Sequence, residues 1–290
     1  MFYSSDVTYK LMNTPILFLV FNRPDTTKKV FESIKAVKPK RLYISCDGAR
    51  LDNVNDKEKI KEVKEILKNI DWECQVYKRF RNKNLGCKLA VIDGINWFFD
   101  QEEEGIILED DTLPSNSFYN FCEFMLEKYR ENKVIMHIGG YKPPHIGRDN
   151  FSISFTRATH IWGWATWKDR WKYYKGDLTN EKMLKLLPEF EYFTKKSKVR
   201  KRIKILEQIN NKTLDTWDYQ WNFAVRTNSG LAIRPNVNLV RNLGIGHIDA
   251  THTKKNTNES ESEEFNMNNL RLPPWIMPNR SLEKQFESKL

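Results

Sequence analysis

Glu109, Asp110 and Asp111 stand in a row directly after the apolar run Gly105 to Leu108. Like charges a few ångströms apart repel, and desolvation at the end of a buried strand makes their meeting costlier, so the run needs a positive partner. A divalent cation would supply it. Ligands that are all oxygen suit Mn2+ or Mg2+, which keep some waters and bridge one or two carboxylates to a substrate diphosphate. The plainer alternative is an acidic turn that favours the start of a helix near Ser117 through its dipole. A second acid, Asp218, lies between Trp217 and Trp221. Apolar walls would lift a carboxylate toward a range in which it can take the proton of an attacking hydroxyl. Asp215 is three residues earlier, within reach on the same helical turn, and a helix N-cap is the structural alternative for both. Four tryptophans crowd ten residues: Trp162, Trp164, Trp167 and Trp171. Flat rings stack on the C–H faces of sugars or fill a core. Gly163 argues for a loop, so Trp162 and Trp164 are the candidates for ligand contact and Trp167 and Trp171 for the core.

The elements that must position these residues alternate. Ile16 to Phe21 is an apolar run of strand length closed by Asn22-Arg23-Pro24-Asp25, where Pro24 stops any helix from running through. Val30, Phe31 and Ile34 then fall at helical spacing behind a cap at Asp25. Leu42 to Ser45 predicts a second strand, ending in Cys46-Asp47-Gly48, and Ile60, Val63, Ile66 and Leu67 form the apolar stripe of a charged helix. Glu73 to Tyr77 reads as a strand, Leu89 to Phe99 as a helix, Gly105 to Leu108 as a strand, Phe118 to Tyr129 as a helix and Val134 to Ile138 as a strand. This order predicts an α/β, Rossmann-like fold with a mostly parallel central sheet flanked by helices. Ligands in such sheets bind at the carboxyl ends of the strands. Arg23, Asp47 and the acidic run all sit at those ends and should converge. His137 follows a strand and reads as a sheet-edge residue.

The 290 residues suffice for one large domain or two intimate ones. With 40% hydrophobic and 13% aromatic residues the chain is not disordered, and no apolar run is long enough to cross a membrane. The opening residues are polar, without a charged-then-apolar leader, which predicts a cytoplasmic protein. Cys46, Cys74, Cys87 and Cys122 show neither C-x-x-C spacing nor a histidine cluster, so reduced, mostly buried thiols are expected. Most of the formal charge of +10 comes from Lys168 to Lys212, with 14 basic and six acidic residues. Such a patch suits phosphates, anionic lipid headgroups or nucleic acid, or is a solvated helix face. After Thr253 the chain becomes Lys/Asn/Glu/Ser-rich and reads as a loose strap or a partly disordered end.

Taken in order over about residues 14 to 255, these motifs resemble the GT-A type nucleotide-sugar glycosyltransferases. Glu109-Asp110-Asp111 is similar to the acidic motif of the N-acetylglucosaminyltransferase I family. Arg23 matches an arginine at the nucleotide and Asp47 an aspartate at the uracil ring. Lys88, 21 residues before Glu109, falls where the family has a different basic residue near the diphosphate. Trp162-Gly163-Trp164 resembles a Gly-Trp loop, Trp217 to Trp221 a Trp-Asp-Asp-Trp segment that holds the base, and Asn238 to Gly244 followed by His247 a C-terminal donor segment.

The resemblance implies a nucleotide-sugar half over 14–138, an acceptor and base half of the same domain over 139–255, and a polar tail over 256–290. It implies that Glu109, Asp110 and Asp111 bind the donor, with Asp111 on the metal and Asp110 on ribose or sugar hydroxyls. His247 or His252 would complete the metal shell, Asp218 or else Asp215 would be the base, and Trp162 and Trp164 would meet the acceptor. The activity implied is an inverting, Mn2+- or Mg2+-dependent transfer from a UDP-sugar to a hydroxyl of a glycan or lipid-linked glycan. N-acetylglucosamine comes ahead of galactose or glucose. Compact bacterial enzymes of surface polysaccharide assembly are similar, which adds a peripheral contact with an anionic inner membrane face. A sugar-nucleotide nucleotidyltransferase would share the acidic site but normally opens with a glycine-rich phosphate loop, and Asn22-Arg23-Pro24-Asp25 has no glycine. A nucleic-acid binder using Lys195 to Lys204 fits poorly with acids at the strand ends.

Overall fold

The computed structural model describes residues 12–176, 196–246 and 261–289. A strand covered on both faces needs apolar side chains on both, and Ile16–Val20 (β1) has them. Arg41–Cys46 (β2) and Glu104–Glu109 (β4) lie parallel on either side of it, with Gln75–Phe80 (β3) outside β2. The helices Pro24–Val37 (α1), Asp56–Ile66 (α2) and Cys87–Gln101 (α3) connect these strands. Pro24 occupies the first turn of α1, where no intrahelical N–H bond is lost. Then come Thr112–Pro114 (β5), Asn116–Tyr129 (α4) and Ile135–Gly139 (β6).

The second half contributes Ile153–Thr156 (β7), Trp164–Trp167 (β8), Lys168–Trp171 (α5), Lys196–Asn210 (α6), Asp218–Thr227 (α7), Leu231–Pro235 (β9), Val240–Asn242 (β10) and Arg280–Lys289 (α8). The main sheet has eight strands in the order β3-β2-β1-β4-β8-β6-β9-β7. Only β8 and β7 run against the rest, so the fold is α/β with a mostly parallel sheet flanked by helices, as the alternation predicts. β1 feeds two cores. Ile16, Phe18 and Val20 pack with Phe31, Phe118 and Phe121, while Leu17 and Leu19 pack with Ile95, Phe98, Trp164 and Trp221.

Two expectations are corrected, and of the two readings of the tail the described residues take the strap. Trp164 does not belong to a loop: β8 crosses the middle of the sheet, and its four residues are all buried, which erases the alternation that marks a half-exposed strand. His137 is not at the sheet edge but wholly buried in β6. The C-terminal stretch 261–289 is a held strap. Phe265 packs on Phe121 at 4.8 Å between ring centres, and the Glu264 carboxylate accepts from the Asn116 and Ser117 amides that open α4. Glu283 accepts from the Thr156 hydroxyl at 2.5 Å. Among the described residues no helix is long and apolar enough to cross a membrane. All four cysteines are free, Cys46 and Cys122 buried and Cys74 and Cys87 half-buried.

Candidate functional site

β1 and β4 pair with Leu19 opposite Glu109, which brings their carboxyl ends together. Asp110 is buried. Its Oδ2 accepts the Phe21 N–H at 3.0 Å, and its Oδ1 lies 3.6 Å from Arg23 Nη1. The same Nη1 donates to Asp111 Oδ2 at 2.5 Å. The positive partner needed by the acidic run is therefore supplied within the chain, by Arg23. Burial alone would lower the Arg23 pKa, but the charges of Asp110 and then Asp111 outweigh it and hold it above its ordinary value. Asp110, tied through Oδ2 to the main chain at the end of β1, braces that end.

Glu109 behaves differently. Thr112 Oγ1 accepts from its backbone N–H at 2.9 Å, and burial, then the charges of Asp111 and Asp110, push its half-buried carboxyl up to about 8 against the pull of Arg23. Asp218 adds to that push, which puts the acid from α7 within electrostatic range of the run at the end of β4. β10 pairs with β5 and carries the chain past the acids: the Leu243 N–H donates to the Asp111 carbonyl at 2.7 Å, and Asn242 Oδ1 accepts from the Gly244 N–H at 2.7 Å. A Cβ on Gly244 would run into Asp111 Oδ2 and lie 3.1 Å from Arg23 Nη1. Glycine is what lets the pair close there.

Asp47 does not offer a free carboxylate to a base ring. It accepts from the backbone amides of Gly48 at 2.9 Å, Leu85 at 3.0 Å and Gly86 at 3.2 Å, and from the Asn84 side chain at 3.0 Å. Both oxygens are spent fixing the loop that leads into α3. Gly86, with φ of 81°, turns that loop so that Cys87 and Lys88 form the first helical turn. Asp215 Oδ1 accepts the Lys88 N–H at 3.3 Å, so its carboxylate sits at the N-terminus of α3, where the helix dipole favours it. Sequence reasoning passed over Cys87 as a site residue. Its thiol lies among Glu109, Asp215, Asp218 and Arg23, and burial, followed by the three acids, pushes it up to about 12.

Asp218 opens α7, half-buried, with Oδ1 accepting from Thr216 Oγ1 at 2.5 Å. The tryptophans on either side of it belong to the core. Trp217 and Trp221 join Trp164 and Trp171 in one cluster with ring centres 5.8 Å (Trp164–Trp217), 5.9 Å (Trp164–Trp221) and 5.2 Å (Trp171–Trp221) apart. Trp164 has no exposed surface and is not an acceptor platform. Trp162 remains half-buried beside Gly163, whose φ is 59°, with its ring 4.4 Å from that of Tyr141. Trp167 is core as expected. Behind the cluster, His137 Nδ1 accepts from Trp221 Nε1 at 3.1 Å and its Nε2 donates to the His160 carbonyl at 3.0 Å. Burial lowers the His137 pKa to about 3, so the ring is neutral.

On its other side Asp218 lines a cavity of about 260 Å³ together with Asn222 and Arg226. The spacing 218, 222, 226 puts all three on one face of α7, a signal readable in the sequence that the search for single catalytic acids missed. His247 and His252 lie outside the described residues. Among those described, no three His, Cys, Asp or Glu side chains are grouped to hold a metal ion. Asp111 and Glu109 offer oxygen donors only, which fits a hard cation that takes one or two protein carboxylates and fills its shell with phosphate and water.

No family description and no curated protein matches this sequence. Solved structures overlap its chain path at low identity. HddC from Yersinia pseudotuberculosis is 13% identical over 54% of this chain and 77% of that one, with a TM-score of 0.33. A UDP-glucose pyrophosphorylase complexed with UDP-glucose is 10% identical over 77% and 90%, with a TM-score of 0.42. Mouse xyloside xylosyltransferase 1 is 10% identical over 74% and 81%, with a TM-score of 0.35.

Proposed function

We propose that this chain is an inverting glycosyltransferase that moves a sugar, N-acetylglucosamine foremost, from a UDP-sugar to a hydroxyl of a glycan or lipid-linked glycan. The observation that carries this reading is the closure of Arg23 on Asp110 and Asp111, beside Glu109, at the carboxyl ends of β1 and β4, with Asp218 at the start of α7 lining a cavity. Departure of a nucleoside diphosphate needs positive charge held where negative charge grows. Arg23 is a fixed cation there, kept in place by Asp110 and Asp111. Asp111, with Glu109 beside it, would hold Mn2+ or Mg2+, which when bound neutralises charge on the leaving diphosphate.

Asp218 is the base. One of its oxygens is engaged by Thr216, and the other can accept the acceptor's hydroxyl proton as that oxygen attacks the anomeric carbon opposite the departing diphosphate. Asp215, bound to the N-terminus of α3, shapes the site's wall instead. The aromatic cluster holds α7 against the sheet and so fixes where Asp218 stands. Calorimetry and a transfer assay test the assignment together. Asp218→Asn should bind UDP-sugar as the native chain does while losing about 10²–10⁴-fold in transfer. Undiminished transfer in that variant, or no binding of any UDP-sugar by the native chain with or without Mn2+, would overturn it.

A further inference from the structure

Helix α2 sorts its charges by face. Lys57, Lys61, Lys64 and Lys68 recur three or four residues apart and so form one stripe, with Glu58 and Glu62 about 100° further round the helix. The stripe runs beside β3, the outermost strand of the sheet, where Lys78 and the exposed Phe80 close a shallow hollow with it. Lys64 Nζ lies 4.9 Å from the centre of the Phe80 ring, and Lys68 Nζ holds the Glu65 carboxylate at 2.7 Å. Among the described residues no carboxylate pairs with Lys57, Lys61, Lys64 or Lys78. The loop that leads into this helix carries an apolar signal instead. Leu51 is wholly exposed and Val54 is 86% exposed. A single exposed apolar side chain needs no explanation, but these two share a tip of four residues whose base is clamped. Asp56, buried at the start of α2, accepts from Arg50 Nε at 2.7 Å, from Arg50 Nη2 at 2.8 Å and from Asn22 Nδ2 at 2.8 Å. The Arg50 guanidinium also lies 5.4 Å from the centre of the Phe21 ring. The clamp fixes where residues 51–54 project, next to Lys57.

Unpaired lysines beside projecting apolar side chains fit a surface that is negative outside and apolar beneath, which is a bilayer containing anionic lipid. A nucleic acid would meet the lysines equally well but leave Leu51 and Val54 in water. We infer that this edge of the molecule docks on an anionic membrane: Leu51 and Val54 enter the headgroup boundary, and the lysines of α2, with Lys78, meet lipid phosphates. The contact uses no residue of the most basic stretch of the sequence, Lys168 to Lys212. Because the tip follows Asp47 and Gly48 at the carboxyl end of β2, docking brings the end of the sheet that carries Arg23 and the acidic run toward the bilayer.

Co-sedimentation of the full chain with lipid vesicles tests it. Vesicles of phosphatidylglycerol and phosphatidylcholine in equal parts should bind at least about tenfold more tightly than phosphatidylcholine alone at about 0.1 M salt, and the difference should shrink as salt rises. Lys57→Gln and Lys61→Gln should each weaken binding to the anionic vesicles about fivefold. Leu51→Ser combined with Val54→Ser should weaken it by about tenfold and leave its salt dependence in place. All four positions are exposed, so the variants should melt as the native chain does. Equal binding to the two kinds of vesicle, or an anionic preference untouched by either the lysine or the apolar changes, would overturn the inference. Competition by a duplex oligonucleotide, with only the lysine changes mattering, would make the partner a nucleic acid and overturn it too. The assay needs no nucleotide-sugar, so failure here leaves the transferase reading standing, and failure of that reading leaves the docking surface standing.

Discussion

The acidic run at the end of β4 and the tryptophans of β8 and α7 are equally conspicuous in the sequence, yet the structure treats them in opposite ways. The acids stay at the strand ends with a guanidinium among them, while Trp164, Trp217 and Trp221 close into a core cluster away from solvent. The difference is one of desolvation cost. A carboxylate is buried only beside a partner, so its position advertises a site; a tryptophan gains by burial alone, so its position advertises nothing until its neighbours are known.

The comparison is broken most directly at Trp164. Trp164→Ala should cost about 3–5 kcal/mol in denaturant unfolding, the loss for a large buried aromatic. A variant of native stability that had lost only acceptor binding would show the ring to be a ligand platform after all. On the acidic side, Asp111→Ala should lower transfer by about 10²–10³-fold, as the loss of one preorganised charge-stabilising group does. Unaltered kinetics across a manganese titration would remove Asp111 from the site. Gly244→Ala sharpens the same point without touching an ionisable group. Its methyl must displace Asp111 from Arg23, and the affinity for a UDP-sugar should fall about tenfold, read by calorimetry. An unchanged dissociation constant would mean that the Arg23–Asp111 pair is not part of the donor site.

The smallest effect is a pH dependence at Glu109. Its folded pKa, about 8, stands above the ordinary 4.5, so the folded state holds this proton more tightly than the unfolded chain does. The resulting stabilisation is complete below about pH 4.5 and is lost as pH rises through 8. In chelator-containing buffer, Glu109→Gln should therefore gain a few degrees in Tm over the native chain at pH 9 relative to pH 5. A pH-independent difference would show that Glu109 is ionised throughout.

Local rules account for much of what could be read in advance. Strands at Ile16, Leu42 and Gly105 with helices between them follow from apolar period and from breakers such as Pro24, which act within a few residues. Two strands inside the sheet escaped, β8 and β9; every residue of both is buried, so they lack the alternation that marks a half-exposed strand. Extents were also short: β3 continues to Phe80, and α3 starts at Cys87, two residues before the apolar stripe shows it.

The sequence by itself determined that Arg23, Asp47 and Glu109 to Asp111 would stand at the carboxyl ends of a parallel sheet, because strand order along the chain and direction within α/β units follow from local pattern. Only the tertiary structure decided who meets whom. Arg23 pairs with Asp111 across 88 residues, Asp47 is consumed by the loop at Leu85, and Asp215 caps a helix 127 residues away. Such pairings depend on sheet order and register, which are settled by the packing of the whole core and leave no mark at the residues they join.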